Sequence, residues 1–174
     1  EINGVWQGAC YPFREGLATG ILNVHFTKNG KLLAGGTNRG WPVRGARNNV
    51  LQRLDWTGLT PFELKEINAH SDGFNLTFTK PVDPKTASDL ASYQLETFTH
   101  IYRQGYGSPE VDQTTPKIRR AIVSRDRLSV RLVVEGMVQG HVHEFTLMGI
   151  RDATGEPPIH KQAYYTLNEI PIRP

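Results

Sequence analysis

Apolar residues recur at every second position far more often than at every third or fourth, in short runs separated by Gly, Pro, Asn and Asp. That is the pattern of strands and turns, so the chain is expected to be all-β. Three early runs, Ile21 to Phe26, Lys31 to Gly35 and Leu51 to Trp56, are followed by a fourth, Phe62 to Asn68. Asn29-Gly30 between the first two is a strong hairpin signal, because both residues tolerate positive φ. A four-stranded up-and-down meander is therefore expected over residues 1–68, resembling one propeller blade. Such a meander leaves a sheet face exposed unless it stacks on something else.

From residue 69 the texture changes. Phe74, Leu76 and Phe78 alternate with Asn75, Thr77 and Thr79, which predicts a strand buried on one face. Pro81 and Pro84 stop it. A helical turn is expected at Thr86 to Leu90, and further strands at Ser92 to Phe98, Ile118 to Ser124, Leu128 to Val134, His141 to Leu147 and Ala163 to Asn168. Arg103 to Pro116, with two glycines and two prolines, reads as one long irregular loop. Short strands at this spacing over residues 69–174 predict a β-sandwich.

Composition narrows the function more than it names it. The 174 residues include 17 Gly and 11 Pro, and 38% are hydrophobic, as expected of a turn-rich globular chain. No apolar run approaches the roughly 18 residues of a membrane-spanning helix. Twenty basic residues against 17 acidic give a net charge of +3, too scattered to favour a nucleic-acid partner. The single Cys10 excludes an internal disulfide framework and a CxxCH haem attachment, and the Tyr-Pro-Phe after it suggests a small buried hydrophobe. The start Glu1-Ile2-Asn3 reads as a processed product or a piece of something longer.

Three clusters carry candidate chemistry. His141 and His143 sit two apart on one strand, the spacing with which some metal sites begin, although His143 is also in register with the apolar Phe145 and Leu147. Arg39, Trp41, Arg44 and Arg47 crowd into one Gly- and Asn-rich loop, where guanidinium forks can hold carboxylate or quinone oxygens and an indole can stack on a sugar ring. Tyr102, Arg103 and Tyr106 lie in or beside the long loop and offer flat apolar faces for a glycan. There is no G-x-S-x-G elbow and no P-loop.

The stretch Phe78-Thr79-Lys80-Pro81-Val82-Asp83-Pro84-Lys85-Thr86-Ala87, running on to Ser92-Tyr93, resembles the opening of bacterial Ig-like domains of S-layer and other secreted proteins. Gly149-Ile150-Arg151-Asp152-Ala153-Thr154-Gly155-Glu156-Pro157 resembles their late turn, in which Asp152 would cap and Gly155 would supply positive φ. More loosely, Gly35-Gly36-Thr37-Asn38-Arg39-Gly40-Trp41, Leu51 to Gly58, Tyr106 to Asp112 and Tyr164 to Asn168 are similar to the propeller end and following sandwich of sorbosone-dehydrogenase-like secreted proteins. The resemblance implies a secreted or periplasmic Ig-like sandwich after a last propeller blade. It also implies a non-catalytic accessory role in domain docking or glycan contact, with no cofactor in this chain and that of any precursor left open. The expected partners are the remainder of a larger polypeptide or a partner subunit, and carbohydrate. The alternatives are part of a quinone- or metal-dependent sugar dehydrogenase site, or a free-standing carbohydrate-binding module.

Overall fold

The computed structural model describes residues 1–172 and is all-β. In chain order the strands are β1 (Gly8–Cys10), β2 (Ile21–Phe26), β3 (Leu32–Thr37), β4 (Asn49–Leu54), β5 (Leu64–His70), β6 (Gly73–Phe78), β7 (Tyr93–His100), β8 (Glu110–Thr114), β9 (Lys117–Val123), β10 (Ser129–Glu135), β11 (His141–Leu147) and β12 (Gln162–Leu167). One short helix, α1 (Pro84–Ser88), and a 3-10 turn at Leu90–Ser92 lie between β6 and β7. No helix among the described residues is long and apolar enough to cross a membrane.

The chain divides into two compact units. The larger joins Glu1–Pro12 to the chain from Thr60 onward. It is a sandwich of a five-stranded antiparallel sheet, β1-β12-β11-β7-β8, and a four-stranded one, β5-β6-β10-β9. Alternation fills the space between the sheets: Phe74, Leu76 and Phe78 of β6 with Val130 and Leu132 of β10 come from one side. Leu95, Phe145, Leu147, Ala163, Tyr165 and Leu167 come from the other. Phe74 is central, its ring centroid 5.1 Å from that of Phe145 and 5.4 Å from that of Tyr165, both edge-on as aromatic quadrupoles prefer.

The two segments that resemble an Ig-like opening and late turn meet in space. Asp83 caps α1 by accepting from the amides of Lys85 and Thr86, with Pro84 at the first helical position. Asp152, almost fully buried, accepts from the Thr154 amide at 2.9 Å, the Thr154 hydroxyl at 2.7 Å and the Glu156 amide at 3.0 Å, while Gly155 takes φ 90°. Val82 bridges to Asp152, Asp83 N–H donates to Arg151 C=O, and Ala153 N–H donates to Pro81 C=O. The corner and the turn thus close the same end of the sandwich.

Three details depart from the sequence expectations. The run at Leu64–His70 is not a fourth meander strand; it pairs with β6 in the sandwich. Only Ser71 and Asp72 separate β5 from β6, so this local hairpin wins over pairing with β4 across a stretch holding Gly58 and Pro61. A bulge between Leu64 and Glu66 lets Leu64 and Ile67, three apart, both face the core. Secondly, Gly8–Cys10 is a strand on β12, and Cys10 is exposed rather than buried. Thirdly, the expected loop 103–116 contains β8, held to β7 through a bulge at which Asp112 takes φ 56°, a conformation aspartate tolerates. With β5 in the sandwich, the meander keeps three strands.

That smaller unit, Phe13–Leu59, is the sheet β2-β3-β4. A turn forms between the first two runs as expected, but only Gly30, at φ 76°, takes positive φ and Asn29 does not; Gly30 N–H donates to Thr27 C=O and Thr27 N–H to Lys31 C=O. Cross-strand partners Val24-Ala34-Gln52 and Phe26-Leu32-Leu54 share one face. Ala34 is its only buried hydrophobic residue, whereas Val24 and Phe26 are 59% and 69% exposed. The apolar face expected of an unstacked meander is therefore present.

Candidate functional site

The arginine loop lies in the smaller unit, between β3 and β4. Its base is closed by Asn38 N–H to Asn48 C=O at 2.8 Å and by the side chains of Asn38 and Asn48 at 2.8 Å. Thr37 Oγ1 donates to Asn48 C=O and accepts from Arg39 N–H, and Asn38 Oδ1 accepts from Gly40 N–H. Trp41 N–H returns to Asn38 C=O, and Arg47 N–H reaches Ala18 C=O. Gly45 is required where the loop crosses residue 18, since a Cβ there would stand 2.4 Å from the Ala18 carbonyl oxygen. Short Asn and Thr side chains thus fix the backbone, and Arg39, Trp41, Arg44 and Arg47 project outward. Trp41 is 74% exposed. Arg39 sits at φ 51°, and none of the three arginines has a carboxylate within 4 Å among the described residues.

The tyrosine loop belongs to the sandwich, between β7 and β8. Tyr102 and Tyr106 are fully exposed and Arg103 is exposed, with its Nε donating to Gly107 C=O at 2.9 Å. The guanidinium therefore braces the loop that carries both rings.

The histidine pair is split by its environment. His143 is fully buried, tilted against Phe74 at 5.2 Å, and its Nε2 accepts from Val138 N–H at 3.4 Å. Burial pushes its pKa down to about 4, outweighing a hydrogen bond to the His141 backbone that would raise it. The Nδ1 atoms of both histidines are buried without a partner. No group of three or more His, Cys, Asp or Glu that could hold a metal lies together among the described residues.

The structure brings Tyr102, Arg103 and Tyr106 together on one loop, and Arg39, Trp41 and Arg44 on another. Neither set lines a pocket with the residues of the open depressions at Ser124–Asp126 and at Leu90, Tyr93, Leu95, Pro116, Lys117 and Ile118. Sequence reasoning missed the His160–Glu63 pair, in which His160 Nδ1 lies 2.7 Å from Glu63 Oε1 and His160 N–H donates to Glu63 Oε2. The two are 97 residues apart and carry no shared motif.

No protein-family model matches the chain, and no curated protein sequence matches it. Among solved structures it is similar to the crystal structure of the S-layer protein rSbsC(31-844), with 21% identity and a TM-score of 0.48 over 63% of this chain. It is also similar to domains 1-6 of the surface layer protein SbsC, with 19% identity and a TM-score of 0.47 over 65% of this chain. The matched region is 14% of each of those chains.

Proposed function

We propose that this chain is a non-catalytic accessory module of a larger secreted or periplasmic bacterial polypeptide, presenting side chains to a glycan and docking neighbouring domains. The observation that carries the reading is the tyrosine loop. Two aromatic rings stand fully in solvent on a loop braced by Arg103, where their flat apolar faces are open to a sugar ring. The sugar-handling context, similar to sorbosone-dehydrogenase-like proteins, rests on the sequence resemblance at Gly35 to Trp41 and Tyr106 to Asp112. The exposed apolar face of β2-β3-β4 supports docking against the remainder of such a polypeptide.

A sugar-dehydrogenase site would need at least two arginines converging in a closed pocket, and Arg39 and Arg44 instead face open solvent. A glycan-array screen of the purified chain, repeated with Tyr106→Ala, tests the reading. Glycan binding weakened by about 1–3 kcal/mol in the variant is the expected result. An array without a single positive glycan defeats it.

A further inference from the structure

The arginine loop carries a second inference, which rests on the glycan-contact reading and gives it a chemical class. Residues 38–49 hold three arginines and no carboxylate. The whole smaller unit, residues 13–59, has seven basic residues against two acidic, leaving the rest of the chain thirteen against fifteen. Neither acidic residue pairs with the loop's arginines: Asp55 is paired with Lys31 and Arg53, and Glu15 forms no ion pair among the described residues. A local excess of cations hidden by a mild overall charge is an electrostatic footprint for an anionic partner.

The loop is also pre-organised. Its ends are tied by Asn38 and Asn48, its middle by Gly40 and Trp41 onto Asn38, and its far side by Arg47 N–H onto Ala18. All of these bonds use backbone groups or Asn and Thr side chains, so the guanidinium groups and the indole are left free for a ligand. Guanidinium forks match carboxylates in two parallel hydrogen bonds, and an exposed indole offers a face to a pyranose ring. We propose that the Asn38–Asn48 loop binds a carboxylated polysaccharide, with Trp41 stacked on a sugar ring and Arg39, Arg44 and Arg47 engaging the uronate carboxylates. A nucleic acid fits less well, because single strands are held along a track of successive aromatic platforms and this loop has one.

The test uses the full chain and polygalacturonate oligosaccharides, with their methyl esters as matched uncharged probes, followed by calorimetry. Binding to polygalacturonate should fall at least about tenfold on esterification, and as much in the Arg39→Gln/Arg44→Gln/Arg47→Gln variant, as loss of charge-assisted hydrogen bonds requires. Trp41→Ala should cost a similar factor, while thermal melting stays unchanged in both variants because the loop's ties are retained. Equal affinity for acid and ester, tighter binding of double-stranded DNA than of polygalacturonate, or absence of polygalacturonate binding overturns the proposal. Tyr106→Ala separates the two readings. If it abolishes polygalacturonate binding and the arginine variant does not, the arginine loop is excluded while glycan contact by the module stands.

Discussion

His143 shows how much one buried ring can impose. In the unfolded chain it titrates near the ordinary histidine value of about 6.5, while in the sandwich burial holds it down to about 4. The unfolded state therefore takes up the proton first. Stability is fully present above about pH 6.5 and is lost as pH falls toward 4, by about 3 kcal/mol over that window. Urea midpoints measured at pH 7.5 and pH 4.5 should show the drop, and His143→Phe should remove most of it, since a phenyl ring fills the same space without a proton to gain. Gly73 is as constrained by its backbone: at φ 148° its Cβ would lie 2.0 Å from the Leu132 carbonyl oxygen. Gly73→Ala is expected to destabilise the sandwich by about 3 kcal/mol in chemical denaturation. The histidine's place was legible from its register with Phe145 and Leu147. The glycine's was not, because the clash comes from a strand almost sixty residues away in sequence.

Among elements, the capped corner is where motif and structure agree most closely. The Thr86 amide, with help from the Thr86 hydroxyl and Lys85, holds the Asp83 carboxyl below the usual carboxylate range. Burial would raise Asp152, and hydrogen bonds from Thr154 and Glu156, with Lys80 nearby, outweigh it. Replacing the cap, Asp83→Ala, should cost about 1 kcal/mol. Asp152→Ala should cost more, about 2 kcal/mol, because it removes a buried carboxylate that accepts from two turn amides and a hydroxyl; thermal denaturation of both variants at neutral pH checks the order. Strand identity was readable from alternation, but strand partnership was not. Phe62 to Asn68 was recognisable as extended, yet its choice of β6 over β4 depended on a bulge and a two-residue turn that period-two counting does not register. β8 was obscured for a related reason, since Asp112 breaks the alternation that would have announced it.

At the scale of the whole molecule, the two units differ in what holds them together. Phe74, fully buried at the centre of the sandwich, should cost about 4 kcal/mol when cut to alanine. Phe26 on the smaller sheet, exposed over most of its surface, should change stability by no more than about 0.5 kcal/mol as Phe26→Ser. Both are checked by denaturation of the full chain. The candidate loops were visible in the sequence as clusters of residue type, because glycines and asparagines around arginines and a tryptophan mark a turn with unusual cargo. Whether their side chains faced inward or outward was not visible, since that depends on which backbone groups the asparagines tie.

The pairing of β1 with β12 has a mechanical consequence. Gly8 lies opposite Thr166, Asn168 donates to Trp6 C=O, and Glu169 N–H donates to Gln7, so the two ends of the sandwich's backbone leave side by side. Tension applied through residues 6 and 169 would peel that pair apart one bond at a time, instead of shearing all its bonds together. Such a body hangs from a strained polymer as a pendant and makes a poor strut; single-molecule extension from those two points should part β1 before the rest of the sandwich yields.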